Sequence, residues 1–198
     1  ATLDAPGVDP VHARELIQAF VVDTEKTRYA DWDDLMAYCR LSAAPVGRHI
    51  LALHGEDPAL WPANDALCDA LQVINHLQDC ADDYRALDRV YIPAPWLAAE
   101  GLGVEVLAEA ASPPGLRRVL DRLLDGTETL LARSRGFARE VKDGRLALEV
   151  AAIQALAEGL VAKLRREDPL KQRVKFSKPR MALVGLRGAV AAWRVRRR

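Results

Sequence analysis

The sequence predicts an all-α protein, a bundle of six or seven helices, and three observations carry that expectation. Apolar residues recur at spacings of three and four through most of the 198 residues, the period of one helix face. Ala, Leu, Arg and Glu dominate while β-branched runs are scarce, which removes the usual material of strands. Proline, glycine and Asp or Asn fall between the periodic segments, where helices start and stop. The composition is 50% hydrophobic and 28% charged, that of a globular protein, and the length suits one domain with a real core. No apolar run reaches the roughly 18 residues of a spanning helix. Cys39, Cys68 and Cys80 form no CxxC pair and no paired framework, which points to a reducing, cytoplasmic compartment.

Residues 1–8 read as an irregular lead-in. Asp9 before Pro10 is an N-cap with proline in the first turn, opening a helix to about Arg28. Ile17, Phe20, Val21 and Thr24 share one of its faces. Asp31 caps a second pattern that runs to Gly55, with Leu35, Met36, Cys39, Val46, Ile50 and Leu53 on its apolar side. Pro45 and Gly47 interrupt it, and proline inside a helix removes a donor and clashes one turn back. A kinked helix and two shorter helices both satisfy the pattern.

Asn64 or Asp65 starts a third helix, with Leu67, Ala70, Leu71, Ile74 and Leu77 inward, and Pro93 and Pro95 end the segment. PWLAAEGL reads as a short helix, and ASPPG (111–115) breaks the chain before a long helix through Arg139. Asp143-Gly144 is a turn before a helix from about Leu146 to Arg166. A basic stretch and a last amphipathic helix, ending in RVRRR, complete the chain. The formal net charge of zero hides a split: 13 of the 28 Lys and Arg fall in residues 163–198, against only Glu167 and Asp168. This basic tail suits a solvated terminus or contact with an anionic surface.

The third helix carries the sharpest chemical signal. Asn75, Asp79 and Asp83 lie four residues apart, so each is displaced by only about 40° around the helix and the three form one stripe. Gln72 extends it by a turn. Two carboxylates and an amide oxygen are hard ligands that suit Mg²⁺ sharing its remaining positions with water or a phosphate. Like charges one turn apart repel by a few tenths of a kcal/mol, a cost that a bound cation relieves. On spacing alone a solvated acidic face is the commoner cause of such a cluster.

The stripe does not stand alone. YCRLSAAPVGRHILALHG precedes it, and the run DALCDALQVINHLQDCADDYRALDRVYIP contains it. Together they show Tyr-Cys and Pro-Val-Gly, then Q-x-x-N-x-x-x-D-x-x-x-D, then Arg-x-Tyr-x-Pro, in order from Tyr38 to Pro93. This ordered triple resembles the squalene/phytoene synthase family of head-to-head prenyl synthases. SAAPVGR and NHLQDC look most like its hydroxysqualene-forming branch in bacterial hopanoid biosynthesis.

The resemblance implies an isoprenoid synthase bundle and the following roles. Asn75, Asp79 and Asp83 would bind Mg²⁺ and, through it, the diphosphate of a presqualene or farnesyl diphosphate substrate. Gln72 would line that site, Tyr38 would stand near the reacting carbons, and Val46 and Gly47 would flank the prenyl chain. Arg89 and Tyr91 would lie near the diphosphate. The implied reaction ionises presqualene diphosphate and captures the rearranged cation with water. Farnesyl transfer to squalene or presqualene diphosphate, and a non-catalytic assembly role on the same fold, are the alternatives. The implied partners are the prenyl substrate and, at the basic tail, a membrane surface at its periphery; no nucleic acid is implied.

The family's first Asp-rich motif has no counterpart before Tyr38, and Asp23 and Glu25 do not match it. Residues 1–198 therefore read as one partial isoprenoid synthase domain, N-terminally incomplete, inactive by itself and with apolar faces exposed. Plainer roles exist for several residues. Tyr38 suits a core aromatic, and Arg89 suits a surface ion pair with Asp88 or Asp83. His49, His54 and His76 show no metal-ligand spacing, and Cys39 and Cys80 suit packing.

Overall fold

The computed structural model describes residues 10–196, and every regular element among them is helical. Three helices open the chain: α1 (Val11–Glu25), α2 (Trp32–Ser42) and α3 (Ala44–Leu53). A turn of 3-10 helix at Pro58–Leu60 leads into α4 (Trp61–Leu87), which at 27 residues is about 40 Å long. The short α5 (Ala94–Ala99) and a 3-10 segment (Val104–Ala108) precede α6 (Pro114–Ser134). Then come α7 (Phe137–Glu140), α8 (Gly144–Leu164) and α9 (Lys178–Arg196).

Local signals set most of these boundaries. The Asp31 carboxylate accepts from the Asp34 amide at 2.8 Å and caps α2 as its sequence position predicts. Asp143 does the same for α8, accepting from the amides of Arg145 and Leu146 at 2.7 and 3.1 Å. The proposed Asp9 cap lies outside the described residues; α1 ends at Glu25, short of Arg28. Pro45 resolves into a break, not a kink: Ala43 alone separates α2 from α3, and the proline sits in the first turn of α3, where its missing N–H is harmless. Gly55, at φ +65°, follows the end of α3 in the left-handed conformation that suits glycine.

Two boundaries depart from expectation. The long helix α4 begins at Trp61, not at Asn64 or Asp65, because the Asp57-capped 3-10 turn runs directly into it with Pro62 in its first turn. Asn64 is instead a buried contact to α3, its amide 3.5 Å from the Ala44 carbonyl. The helix expected to reach Arg139 stops at Ser134, and α7 restarts at Phe137.

The core forms where α4 crosses α6 and α8. Leu67, Ala70, Val73, Ile74 and Leu77 of α4 are buried, as are Leu116, Leu120, Leu123, Leu124 and Leu131 of α6 and Val150, Ala157, Val161 and Leu164 of α8. Each buried leucine contributes about 1.5–3 kcal/mol relative to exposure, so tertiary packing rather than propensity holds these helices. The apolar faces expected of α1 and α3 are not part of this core. Ile17, Phe20 and Val21 are more than half exposed, and Val46, Ile50 and Leu53 are exposed as well. Instead, α1 meets its neighbours through His12 and Ala19, both buried. The other outlying helix, α9, packs along α8 and buries none of its residues fully. No helix among the described residues is long and apolar enough to cross a membrane.

Candidate functional site

The site begins with the α4 stripe. Gln72 and Asn75 face a cavity of about 560 Å³ between α3, α4 and α8. Its walls include Val46, Gly47, Leu71, Phe137, Val150 and Ile153, and they are mainly apolar. At Gly47 the backbone of α3 comes so close to α4 that a Cβ would stand 2.2 Å from Asn64 Oδ1 and 2.7 Å from Cys68 Sγ. Glycine is therefore demanded by helix contact at the cavity wall, not by its dihedral angles.

Asp79 and Asp83 continue from Asn75 beyond the cavity lining. Burial raises the Asp83 carboxyl above the usual range, and the charge of Asp79 adds to it. Asp79 is raised as well, chiefly by burial, and only partly offset by Arg173. The side chains of Asn75 and Asp83 make no hydrogen bond or ion pair with any described residue, whereas Asp79 takes two contacts from Arg173. Asp82 points elsewhere, to solvent, 3.8 Å from Arg85.

No cluster of three or more His, Cys, Asp or Glu side chains among the described residues is placed to hold a metal ion. The stripe's donor set is two carboxylates with one amide oxygen, and its unrelieved acidity fits a hard cation that keeps water or phosphate ligands.

A second cluster occupies the neighbouring face of α4. Tyr38 donates its hydroxyl to Asp23 Oδ1 at 2.8 Å. Arg89 donates to the Asp23 carbonyl at 2.6 Å and to the Tyr91 hydroxyl at 3.4 Å, with its guanidinium 3.6 Å from the Asp23 carboxylate. The surface pairing of Arg89 with Asp88 or Asp83 is thus replaced, because the chain after α4 turns Arg89 inward onto α1; Asp88 pairs with Arg28 instead.

His76 stacks on Tyr91 with ring centroids 3.4 Å apart, and Tyr29 also stacks with Tyr91, at 5.6 Å. Burial, reinforced by Arg89, pushes the imidazole down to about 3, so His76 is neutral. Burial raises the Tyr38 phenol, and its bond to Asp23 raises it further, so it stays protonated. Cys39 and Cys80 are buried with raised thiols, as packing residues should be.

The structure therefore gathers Val46, Gly47, Gln72 and Asn75 around one cavity and Tyr38, Arg89 and Tyr91 into one cluster. Sequence reasoning passed over Asp23, His76 and Arg173. Asp23 meets Tyr38 across 15 residues and Arg89 across 66, separations that no local spacing rule detects.

The geometry is that of a helical bundle which sets an oxygen-rich stripe beside an apolar cavity between its helices. The sequence profile of the Squalene/phytoene synthase family matches residues 1–180, and the chain belongs to that family. It is 48% identical over 191 residues to a hydroxysqualene synthase of Rhodopseudomonas palustris, covering 96% of this chain and 65% of that protein. It is 45% identical over 195 residues to a hydroxysqualene synthase of Sinorhizobium fredii, covering 98% of this chain and 66% of the relative. The chain thus spans slightly less than two thirds of these relatives' length. The crystal structure of a squalene synthase, HpnC, from Alicyclobacillus acidocaldarius superimposes with a TM-score of 0.76 at 33% identity, covering 83% of this chain and 62% of that one. The all-α isoprenoid synthase architecture expected from the sequence is thereby established.

Proposed function

We propose that this protein acts in the conversion of presqualene diphosphate to hydroxysqualene, with release of diphosphate. One observation carries the reading: Asn75 belongs both to the oxygen stripe and to the wall of the apolar cavity. A substrate with a diphosphate head and a long hydrocarbon tail has that same junction. The similarity to hydroxysqualene synthases supports this reaction within the family.

Asn75, Asp79 and Asp83 would hold Mg²⁺, which supplies charge stabilisation to the departing diphosphate oxygens. The chain's own residues do the rest. Gln72 and Asn75 offer amide groups at the cavity edge, and Val46, Leu71 and Ile153 exclude water from the hydrocarbon. Tyr38, Arg89 and Tyr91 form a rigid, mostly buried polar wall. Asp23 is a positioning residue, since it holds both the Tyr38 hydroxyl and the Arg89 guanidinium. Capture of the cation by one water gives the alcohol and a proton, balancing the loss of diphosphate.

The experiment is product analysis: the protein encoded by the complete reading frame is incubated with presqualene diphosphate and Mg²⁺. Hydroxysqualene is the expected product. A squalene product in a parallel incubation that also supplies a nicotinamide hydride donor, which reduction of the carbocation to the hydrocarbon requires, would favour the second reading, which rests on the resemblance to a solved squalene synthase. Unchanged substrate would leave a non-catalytic role.

A peripheral membrane contact is part of the same proposal. Leu183, Leu186 and Val190 are exposed on one side of α9, and Arg180, Arg187 and Arg194 lie beside them in an acid-free stretch. This pattern suits an anionic lipid surface at the cytoplasmic face. Co-sedimentation with phosphatidylglycerol vesicles at low salt, lost at high salt, is the expected result.

A further inference from the structure

The α4 stripe already has a resident cation. Arg173 donates from Nη2 to Asp79 Oδ2 at 2.8 Å, and its Nε lies 2.7 Å from Asp79 Oδ1 as an ion-pair contact, so the guanidinium engages both carboxylate oxygens. Among the described residues Asp79 is the member of the stripe so engaged; the side chains of Asn75 and Asp83 make no hydrogen bond or close ion pair, and the charges of Arg89 and Arg173 reach Asp83 only at longer range.

The arginine is delivered by the backbone, not by chance of rotamer. Asp168 anchors the start of its segment by accepting from Ser112 N, Ser112 Oγ and Leu170 N. Val174, the next residue, is fully buried, and its carbonyl accepts from Gln78, the residue before Asp79. Segment and helix are thus pinned together immediately beside the ion pair. The Arg173 side chain is 51% exposed, so it can withdraw into water at little cost.

Arg173 takes up part of the lone-pair capacity of Asp79 and sets a positive charge against it, so a divalent ion approaching that carboxylate competes with the arginine through shared acceptor oxygens and charge repulsion. We propose that Arg173 is a built-in counter-ion that guards the stripe: it holds Asp79 while no divalent cation is present and competes with one that approaches. The proposal rests on reading the stripe as a cation site. It makes Arg173, which contributes no oxygen ligand, the residue that sets the site's affinity for the free ion. The same contact partly compensates Asp79 in the empty state, leaving the half-buried Asp83 as the stripe's carboxylate without a close ion pair.

The test is binding of Mn²⁺ alone, read from loss of the free-ion electron paramagnetic resonance signal, with Mg²⁺ as competitor. Arg173→Gln should bind Mn²⁺ about 5–10-fold more tightly than the unmodified chain, the worth of about 1 kcal/mol from one exposed bidentate pair. Arg173→Lys, which keeps the charge without the guanidinium, should fall between them. Lys175→Gln removes a neighbouring exposed charge that does not touch Asp79 and should change affinity less than about twofold, as expected for a charge screened by solvent. Equal affinities for Arg173→Gln and the unmodified chain, both weakened by Asp83→Asn, would overturn the guard and leave the cation site standing. An equal gain from Lys175→Gln would also overturn it, reducing the effect to net charge. Mn²⁺ binding that ignores Asp83→Asn, or is absent throughout, would remove the cation site and the guard with it.

Discussion

The two polar groups flanking α4 differ in how their charges are met. In the Asp23 cluster the carboxylate is shared between the Tyr38 hydroxyl and the Arg89 guanidinium, and His76 is held neutral against Tyr91. Along the stripe, the side chains of Asp83 and Asn75 make no hydrogen bond or close ion pair among the described residues, and both carboxylates are raised chiefly by burial. The first group has spent the bonding capacity of its carboxylate on the protein, although His76 Nε2 and Arg89 Nε are buried without a hydrogen-bond partner among the described residues. The second keeps it in reserve, at a cost in repulsion, which is the mark of a surface shaped for a ligand.

The comparison is broken most readily at Asp23. Asp23→Ala leaves the mostly buried Arg89 without its carboxylate and Tyr38 without its acceptor, and should lower unfolding free energy by about 2–3 kcal/mol in urea titration. A loss below 0.5 kcal/mol, the ordinary scale of surface substitutions, would show that the cluster is not closed.

The next effect is a response to acid. Unfolded, His76 takes a proton near pH 6.5, but folded it does not until about pH 3. The unfolded chain therefore binds more protons in this window, and the contribution present above pH 6.5 is lost as pH falls toward 3. By pH 5 the loss from this one group reaches about 2 kcal/mol. His76→Phe keeps the stack on Tyr91 and should flatten the stability profile between pH 7 and pH 5; an unchanged slope would contradict the assignment.

The open stripe predicts smaller, opposite behaviour. Mg²⁺ at tenfold its dissociation constant should stabilise the chain by about 1.4 kcal/mol, and Asp83→Asn should abolish that response in a thermal scan. Without Mg²⁺, Asp83→Asn should be neutral or stabilising by a few tenths of a kcal/mol, because it removes repulsion and breaks no bond. Destabilisation by more than about 1 kcal/mol would place Asp83 in the closed class.

How much of this was legible in the sequence depends on the range of the interaction. The stripe, the Asp31 and Asp143 boundaries and most of the inward face of α4 follow from spacing within one helix, with Leu67, Ala70, Ile74 and Leu77 buried and Leu71 partly so. Asp23 and Arg173 were not legible, because their partners lie far along the chain and meet them only through the fold. The apolar face of α1 shows the converse error. Periodicity located Ile17, Phe20 and Val21 on one side, but it does not say whether that side meets the core. Orientation comes instead from Ala19 and from the Asp23 contacts to α2 and Arg89.

The central claim, that the stripe and its cavity together hold a prenyl diphosphate, is tested most directly by calorimetric titration of presqualene diphosphate with and without Mg²⁺. The unmodified chain and the Asp79→Asn/Asp83→Asn double variant would be compared. Binding that requires Mg²⁺ and weakens at least about tenfold in the double variant, a loss of about 1.4 kcal/mol, is the predicted result. Equal affinity with and without Mg²⁺, undiminished by the two substitutions, would contradict it.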